Sequence, residues 1–225
     1  LLLPLFLLVL FILFLFIIWR IKARKYISSV TVASAYDAWT QDKLLERLWG
    51  EHIHLGYYPL GTKNTDFRKA KIQFVHELVK WSGLDKLPKG SRILDVGCGI
   101  GGSSRILAKY YGFNVTGITI SPAQVKRARE LTPNGISCNF QVMDALDLKF
   151  EDGSFDAVWS VEAGAHMNDK TKFADELLRI LRPGGYLALA DWNSRDLREF
   201  PPSFLEKLVL KPVSYTHLTL PTMRT

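Results

Sequence analysis

The chain of 225 residues has little sulfur, only two cysteines and three methionines. Two cysteines cannot form the disulfide framework of a small secreted domain. A bridge from Cys98, which lies within a glycine-rich turn, would distort that turn, so Cys98 and Cys138 both read as free thiols on a reducing side. Long blocks of one charge are missing as well: charged residues make up 23% of the chain and are mixed in sign, which excludes extended disordered tracts. A secretory signal would place positive charge before its apolar run and a small-residue cleavage site after it, whereas the positive charges here follow the run.

What is present begins with that run. Leu1 to Trp19 carries no charged residue and is built from Leu, Ile, Phe and Val. Its length is close to the ~20 residues that span a bilayer core as a helix. A transmembrane anchor is expected over residues 1–19, with a cleaved signal peptide and a buried core helix as the alternatives. Arg20, Lys22, Arg24 and Lys25 follow at once, so part of the net charge of +7 belongs to membrane topology rather than to a nucleic-acid face. The positive-inside rule then puts the rest of the chain on a cytoplasmic or plastid stromal side. Residues 20–35 read as a basic juxtamembrane linker, residues 36–88 as a helical segment ahead of the sheet, and residues 89–212 as one folded domain.

Within that domain, strand and helix patterns alternate. Strands are expected at 92–96, 114–118, 139–143, 157–161 and 186–190, and helices at 67–81, 103–110, 122–131 and 172–181, the first stopped by Gly83 and Pro88. This predicts an α/β fold, a doubly wound and mostly parallel sheet whose ligand site lies beyond the carboxyl ends of its strands. After Pro201 the pattern stops, and residues 213–225 read as an irregular, non-native tail on a C-terminally incomplete sheet.

The most informative stretch is ILDVGCGIGGSSR, from Ile93 to Arg105. An apolar strand runs into Gly97, Gly99, Gly101 and Gly102, then into a helix whose amino end carries a positive dipole. Gly97, Gly99 and Gly102 also satisfy the dinucleotide spacing, so glycines alone leave an NAD(P) oxidoreductase open. Asp95 shifts the balance, because a carboxylate at the strand end would repel a pyrophosphate and suits a ligand bearing an ammonium group.

This run resembles motif I of the class I S-adenosylmethionine methyltransferases, and FDAVWSVE (Phe155 to Glu162) and LLRILRPGG (Leu177 to Gly185) resemble the landmarks that follow it in that family. The resemblance implies S-adenosylmethionine as cofactor. It implies that Asp95 and the loop Gly97, Cys98, Gly99, Gly101 and Gly102 hold the methionine part, that Thr119, Ile120 and Gln124 lie by the ribose, and that Asp144 and Ala145 lie by the adenine. Many relatives carry an acid where Thr119 stands, so the ribose here is left a single hydroxyl partner.

Two further blocks narrow the family. Tyr36-Asp37 with WGEHIHLGYY (Trp49 to Tyr58) and EAGAHM (Glu162 to Met167) resemble the tocopherol and sterol C-methyltransferases, and with GITISPAQVKRA and ADWNSRD they resemble its cyanobacterial-type phytyl-benzoquinol branch. That resemblance adds Tyr36 and Tyr58 to the cofactor site. It implies methylation of a ring carbon of a prenylated benzoquinol, 2-methyl-6-phytyl or solanesyl, at a membrane, with γ-tocopherol or a sterol as alternative acceptors. A non-catalytic cofactor-binding membrane protein is the alternative outside enzymes.

Nucleic acid is not expected as a partner, because Ser160-Val161-Glu162-Ala163 stands where base N-methylating enzymes carry Asp/Asn-Pro-Pro-aromatic, and neither cysteine sits where RNA carbon methylation would use one. A phenol titrates near pH 10, so a base is wanted at neutral pH, and His166, Glu162 and His54 are the candidates. His52 and His54, two apart, lack a third ligand to make a metal site.

Overall fold

The computed structural model describes residues 29–61 and 66–192, together with Val9, Phe11, Ile12 and Ser203. The expected membrane span at 1–19 lies outside the described residues except for Val9, Phe11 and Ile12, which are helical and exposed, and the tail at 213–225 lies outside them entirely. No helix among the described residues is long and apolar enough to cross a membrane.

Five strands make one parallel sheet: β1 (Arg92–Val96), β2 (Asn114–Thr119), β3 (Cys138–Val142), β4 (Phe155–Val161) and β5 (Leu181–Ala190), in the order β3-β2-β1-β4-β5. The order reverses between β1 and β4, and the crevice beyond their carboxyl ends is where such sheets bind ligands. The glycine loop leaves one of these strands and the Glu162 loop leaves the other.

Ahead of the sheet come α1 (Ser29–Gln41), α2 (Leu44–Trp49) and α3 (Phe67–Ser82); between strands lie α4 (Gly102–Tyr111), α5 (Pro122–Leu131) and α6 (Lys170–Arg179). Their ends are written in the sequence. Asp66 caps α3 by accepting from the Arg68 and Lys69 amides, and Gly83 closes it in the left-handed conformation. Ser121 caps α5 ahead of Pro122, whose missing N–H costs nothing in the first turn.

The sheet is buried on both faces. Ile93, Val115, Ala157 and Trp159 pack with Val75 and Val79 of α3 and Leu107 of α4. Leu94, Val96, Ile118 and Val158 pack on the other face with Phe173 and Leu177 of α6. Period-2 alternation in short apolar strands produces this two-sided core.

Most expected boundaries shift by no more than a residue or two, and two move further. α1 begins at Ser29, inside the stretch read as a linker, because Val32 and Ala35 are buried along it. β5 reaches back to Leu181 rather than starting at Tyr186: Leu181 pairs with Phe155, the register then breaks, and Tyr186 pairs with Ala157. Arg182, Pro183, Gly184 and Gly185 form the irregularity, held by Arg182 Nε donating to Asp156 at 2.7 Å. Turn residues hid a strand extension that the pairing reveals.

Candidate functional site

Asp95 lies at the carboxyl end of β1, 2% exposed, and its Oδ2 accepts a 2.5 Å hydrogen bond from Ser104 Oγ in α4. Burial pushes its carboxyl up to about 7. The chain then turns back, with the Gly97 and Cys98 amides donating to the Ile118 carbonyl at 2.9 and 3.0 Å and Gly101 donating to Cys98 O at 2.9 Å.

The glycines are there for different reasons. A side chain on Gly97 would collide with the Ala163 methyl, one on Gly101 would come within 2.6 Å of the Phe140 ring, and one on Gly102 within 2.6 Å of the Glu51 carbonyl. These three make room for the protein itself. Gly99, at φ +55, has nothing within 4 Å of an added Cβ, so its backbone faces open space. That combination, an open left-handed glycine beside a buried carboxyl and a helix amino end, fits a ligand carrying an ammonium group close to polar backbone. The Cys98 side chain points elsewhere: it packs with Val125, Ala128 and Phe140, so the loop offers only its backbone.

At the end of β2 the Thr119 hydroxyl donates to Gln124 Oε1 at 2.7 Å and accepts from the Ser121 amide at 3.3 Å. Thr119 and Gln124 are therefore a bonded, buried pair rather than separate partners, with partly exposed Ile120 between them. After β3, Asp144 Oδ1 accepts from the Leu146 amide at 2.9 Å, and Ala145 is buried in the core beside Leu148.

The loop after β4 meets this edge directly through Ala163 and Gly97. Glu162 holds φ +53, a left-handed backbone that side chains disfavour and that collects at functional loops. It is pinned from both ends: its amide donates to Ala190 O at 2.7 Å, and its Oε1 accepts from the Leu55 amide at 3.0 Å. His166 Nε2 shares a 3.0 Å hydrogen bond with the Tyr36 hydroxyl of α1. Lys170 Nζ donates to the Met167 carbonyl at 2.6 Å and to the Gly164 carbonyl, closing the loop underneath. Asp191 at the end of β5 lies beside Gly164, its carboxyl raised by burial.

Residues 29–61 form a cap over the glycine loop. His54 is buried, and its Nδ1 lies 2.7 Å from the Leu55 carbonyl, which only accepts, so that nitrogen carries the proton. Its Nε2 is then an acceptor for His52 Nδ1 at 3.2 Å. Burial holds His52 down to about 3 and lowers His54 too, so both rings are neutral at neutral pH. Both His54 nitrogens are engaged within the cap, so the ring fastens the segment on which it sits. Tyr58 and Tyr57 are exposed on the same segment.

Several residues that build the site escaped the sequence reading. Lys71 is 3% exposed, donates to the carbonyls of Trp49 (3.1 Å) and His52 (2.8 Å), and is pushed down to about 8 by burial. Its place on the α3 stripe, one turn ahead of Val75, was the available signal. Arg105 ties Glu51 (2.6 Å) to the Ile100 carbonyl (2.8 Å) behind the loop. Asp37 Oδ1 accepts from Ser121 Oγ (2.5 Å) and the Ala123 amide (3.1 Å) at the amino end of α5. The Tyr36-Asp37 dipeptide marked the place, but nothing local to it shows which helix it reaches.

Residues 94–189 match a methyltransferase domain family. The chain is 59% identical over 211 residues to 2-methyl-6-phytyl-1,4-hydroquinone methyltransferase of Synechocystis sp., covering 94% of this chain and 66% of that protein. The chain belongs to the S-adenosylmethionine-dependent methyltransferases. It is 43% identical over 164 residues to the chloroplastic tocopherol O-methyltransferase of Arabidopsis thaliana, covering 68% of this chain and 47% of that one. The chain thus spans between about half and just under two thirds of the length of these curated relatives. Among solved structures it is similar to the [4+2]-cyclase SpnF (31% identity, TM-score 0.63, 71% of this chain and 58% of that one). It is also similar to a geranyl diphosphate methyltransferase in complex with GPP and sinefungin (26%, TM-score 0.59, 71% and 64%). A cyclase among the neighbours shows that this fold alone does not set the reaction.

For a methyltransferase of this class, the geometry separates the sequence candidates. Asp95, Gly97, Gly99, Thr119, Gln124 and Asp144 all fall along the carboxyl edge of β1, β2 and β3, while Glu162 and His166 fall at β4 and are met there by Leu55 and Tyr36 of the cap.

Proposed function

We propose that this methyltransferase transfers a methyl group to a ring carbon of a prenylated benzoquinol, 2-methyl-6-phytyl- or solanesyl-benzoquinol. The 59% identity to a relative named for that reaction, over 94% of this chain, supports the acceptor. The observation that carries the site is the meeting of the two loops: Ala163 seats against Gly97, which sets Glu162 and His166 beside the loop that leads from Asp95.

S-adenosylmethionine, when bound, supplies an electrophilic sulfonium methyl. The residues of the chain do the rest. Asp95 would hold the ammonium group, whose charge favours the ionised carboxylate, and the backbone around Gly99 would admit the methionine part. Thr119 with Gln124 would meet the ribose, and Asp144 would serve the adenine. His166 takes the phenolic proton of the quinol, which raises electron density at the ring carbon; as that carbon gains the methyl and the sulfonium bond breaks, its own hydrogen leaves as a proton and the aromatic quinol is restored. Its bond to Tyr36 sets the ring's orientation. Glu162, held by the Leu55 amide, keeps the cap segment over the acceptor and excludes water.

A lipid acceptor is reached at a membrane surface. Trp49, Tyr57 and Tyr58, with Leu48, Leu55 and Leu60, are exposed on the cap, an aromatic and aliphatic composition suited to a bilayer interface. The apolar run of Leu1 to Trp19 would hold that face there, with the catalytic part on the cytoplasmic or stromal side.

The test is product analysis with isotopically labelled cofactor. Methylated product from 2-methyl-6-phytylbenzoquinol is expected; label entering γ-tocopherol while that quinol stays unmethylated would replace the proposal with the reading suggested by the tocopherol methyltransferase relatives. Flotation with vesicles tests the membrane face: the chain should rise with lipid, and replacing Trp49 and Tyr58 by Ser should weaken this.

A further inference from the structure

The cap and the sheet meet at two adjacent residues whose partners lie on opposite sides of the crevice. Tyr36 reaches His166 in the loop after β4, at 3.0 Å. Asp37, next in the chain, reaches Ser121 Oγ and the Ala123 amide after β2, at 2.5 and 3.1 Å. Ser121 in turn donates its amide to Thr119, whose hydroxyl is bonded to Gln124. One turn of α1 therefore bridges the β2 side and the β4 side of the cleft, with Gly99 and Asp95 on the strand between them.

The contact on the β2 side is well built for holding. A carboxylate at the amino end of a helix accepts from a free first-turn amide and lies at the positive end of the dipole. Ser121 is wholly buried beneath it. A charged hydrogen bond of this kind is among the stronger single polar contacts a protein makes.

We propose that Tyr36 and Asp37 form a strap in which Asp37 is a positioning residue: by latching α1 to the amino end of α5 it closes the cap over the cofactor and brings the Tyr36 hydroxyl to His166. Cofactor binding and the setting of the candidate base are then one event rather than two. The inference rests on the methyltransferase reading of the site and, for its second half, on His166 as the proton acceptor. At the end of β2 itself stands Thr119, not an acid. The carboxylate that fixes the β2 side comes from α1, and it is removed whenever α1 lifts.

The experiment is a double-mutant cycle on the full chain, read by the dissociation rate of S-adenosylhomocysteine in stopped flow. Asp37→Asn keeps the shape and removes the charge; Tyr36→Phe removes one hydroxyl. Asp37→Asn should speed dissociation by about tenfold. Tyr36→Phe should speed it less, and the double variant should be no faster than Asp37→Asn alone, because one strap is lost either way. Hydrogen exchange should show residues 29–41 opening in Asp37→Asn while the strands stay protected, which separates a lifted strap from a misfolded chain. Additive effects on the rate, or an unchanged rate with Asp37→Asn, would overturn the strap. If the rates couple as expected but Tyr36→Phe leaves the pH profile of turnover unmoved, the strap stands and His166 is not the base.

Discussion

The sheet and the cap are held by different forces. Around β1 and β4 the contacts are apolar and complete: Ile93, Leu94, Val158 and Trp159 are fully buried, and each strand lies between parallel neighbours. The cap, in contrast, is fastened by charge. Glu46 takes Arg127 at 2.8 and 2.6 Å, Glu51 takes Arg105, Asp37 takes the α5 amino end, and Lys71 takes two carbonyls. Dispersion and burial do not vary with salt or pH, whereas ion pairs and neutral histidines do. The binding platform is permanent and its cover is conditional.

The contrast can be broken from either side. Trp159→Ala, in the middle of the sheet, should cost about 3 to 5 kcal/mol, and a melt should show cap and sheet lost together. Loss of the cap alone would mean that the sheet does not carry the fold. Asp95→Ala leaves the apolar frame intact and should weaken S-adenosylhomocysteine by about 100-fold or more in calorimetry, since the ligand's ammonium then has no buried counter-charge. Retained affinity would remove the glycine loop from the cofactor site.

Acid should drive the two regions in opposite directions. Burial holds His52 down to about 3 when folded, below its ordinary 6.5, so the stability it contributes to the cap is full above 6.5 and is lost as pH falls toward 3. Burial pushes Asp95 up to about 7 in the folded chain against its ordinary 3.8, so its contribution is full below 3.8 and is lost as pH rises through 7. From pH 7 down to 4, amide protection, taken relative to the intrinsic exchange rate at each pH, should therefore fall in residues 46–58 and rise around residues 92–104. Both regions loosening together would contradict the separation. The smallest effect is expected from Glu46→Gln, about 1 kcal/mol or less, read as faster proteolysis of the cap at low salt and little difference at high salt.

The sheet was legible in the sequence because its signals are local. Period-2 strands, Gly83 and Gly112 closing helices, and Pro122 opening one each act within a few residues, and all five strands lie where the pattern puts them to within a residue or two, apart from the longer backward reach of β5. The loop residues Asp95, Gly97 and Gly99 were legible for the same reason. The cap was not. Asp37 meets Ser121 and Glu46 meets Arg127 across more than eighty residues, and a charged side chain gives no local sign of whether it is solvated or paired. His54 was singled out by its place in the segment ahead of the glycine loop, and nothing local to it shows that the Leu55 carbonyl and His52 engage both of its nitrogens.

β5 has β4 as its only partner among the described residues, and Leu187 and Leu189 are exposed along it. Aliphatic side chains exposed side by side on a strand give apolar material a surface on which to settle. Light scattering should therefore show self-association rising with protein concentration, and a charged residue placed at Leu189 should lessen it without touching either side of the crevice.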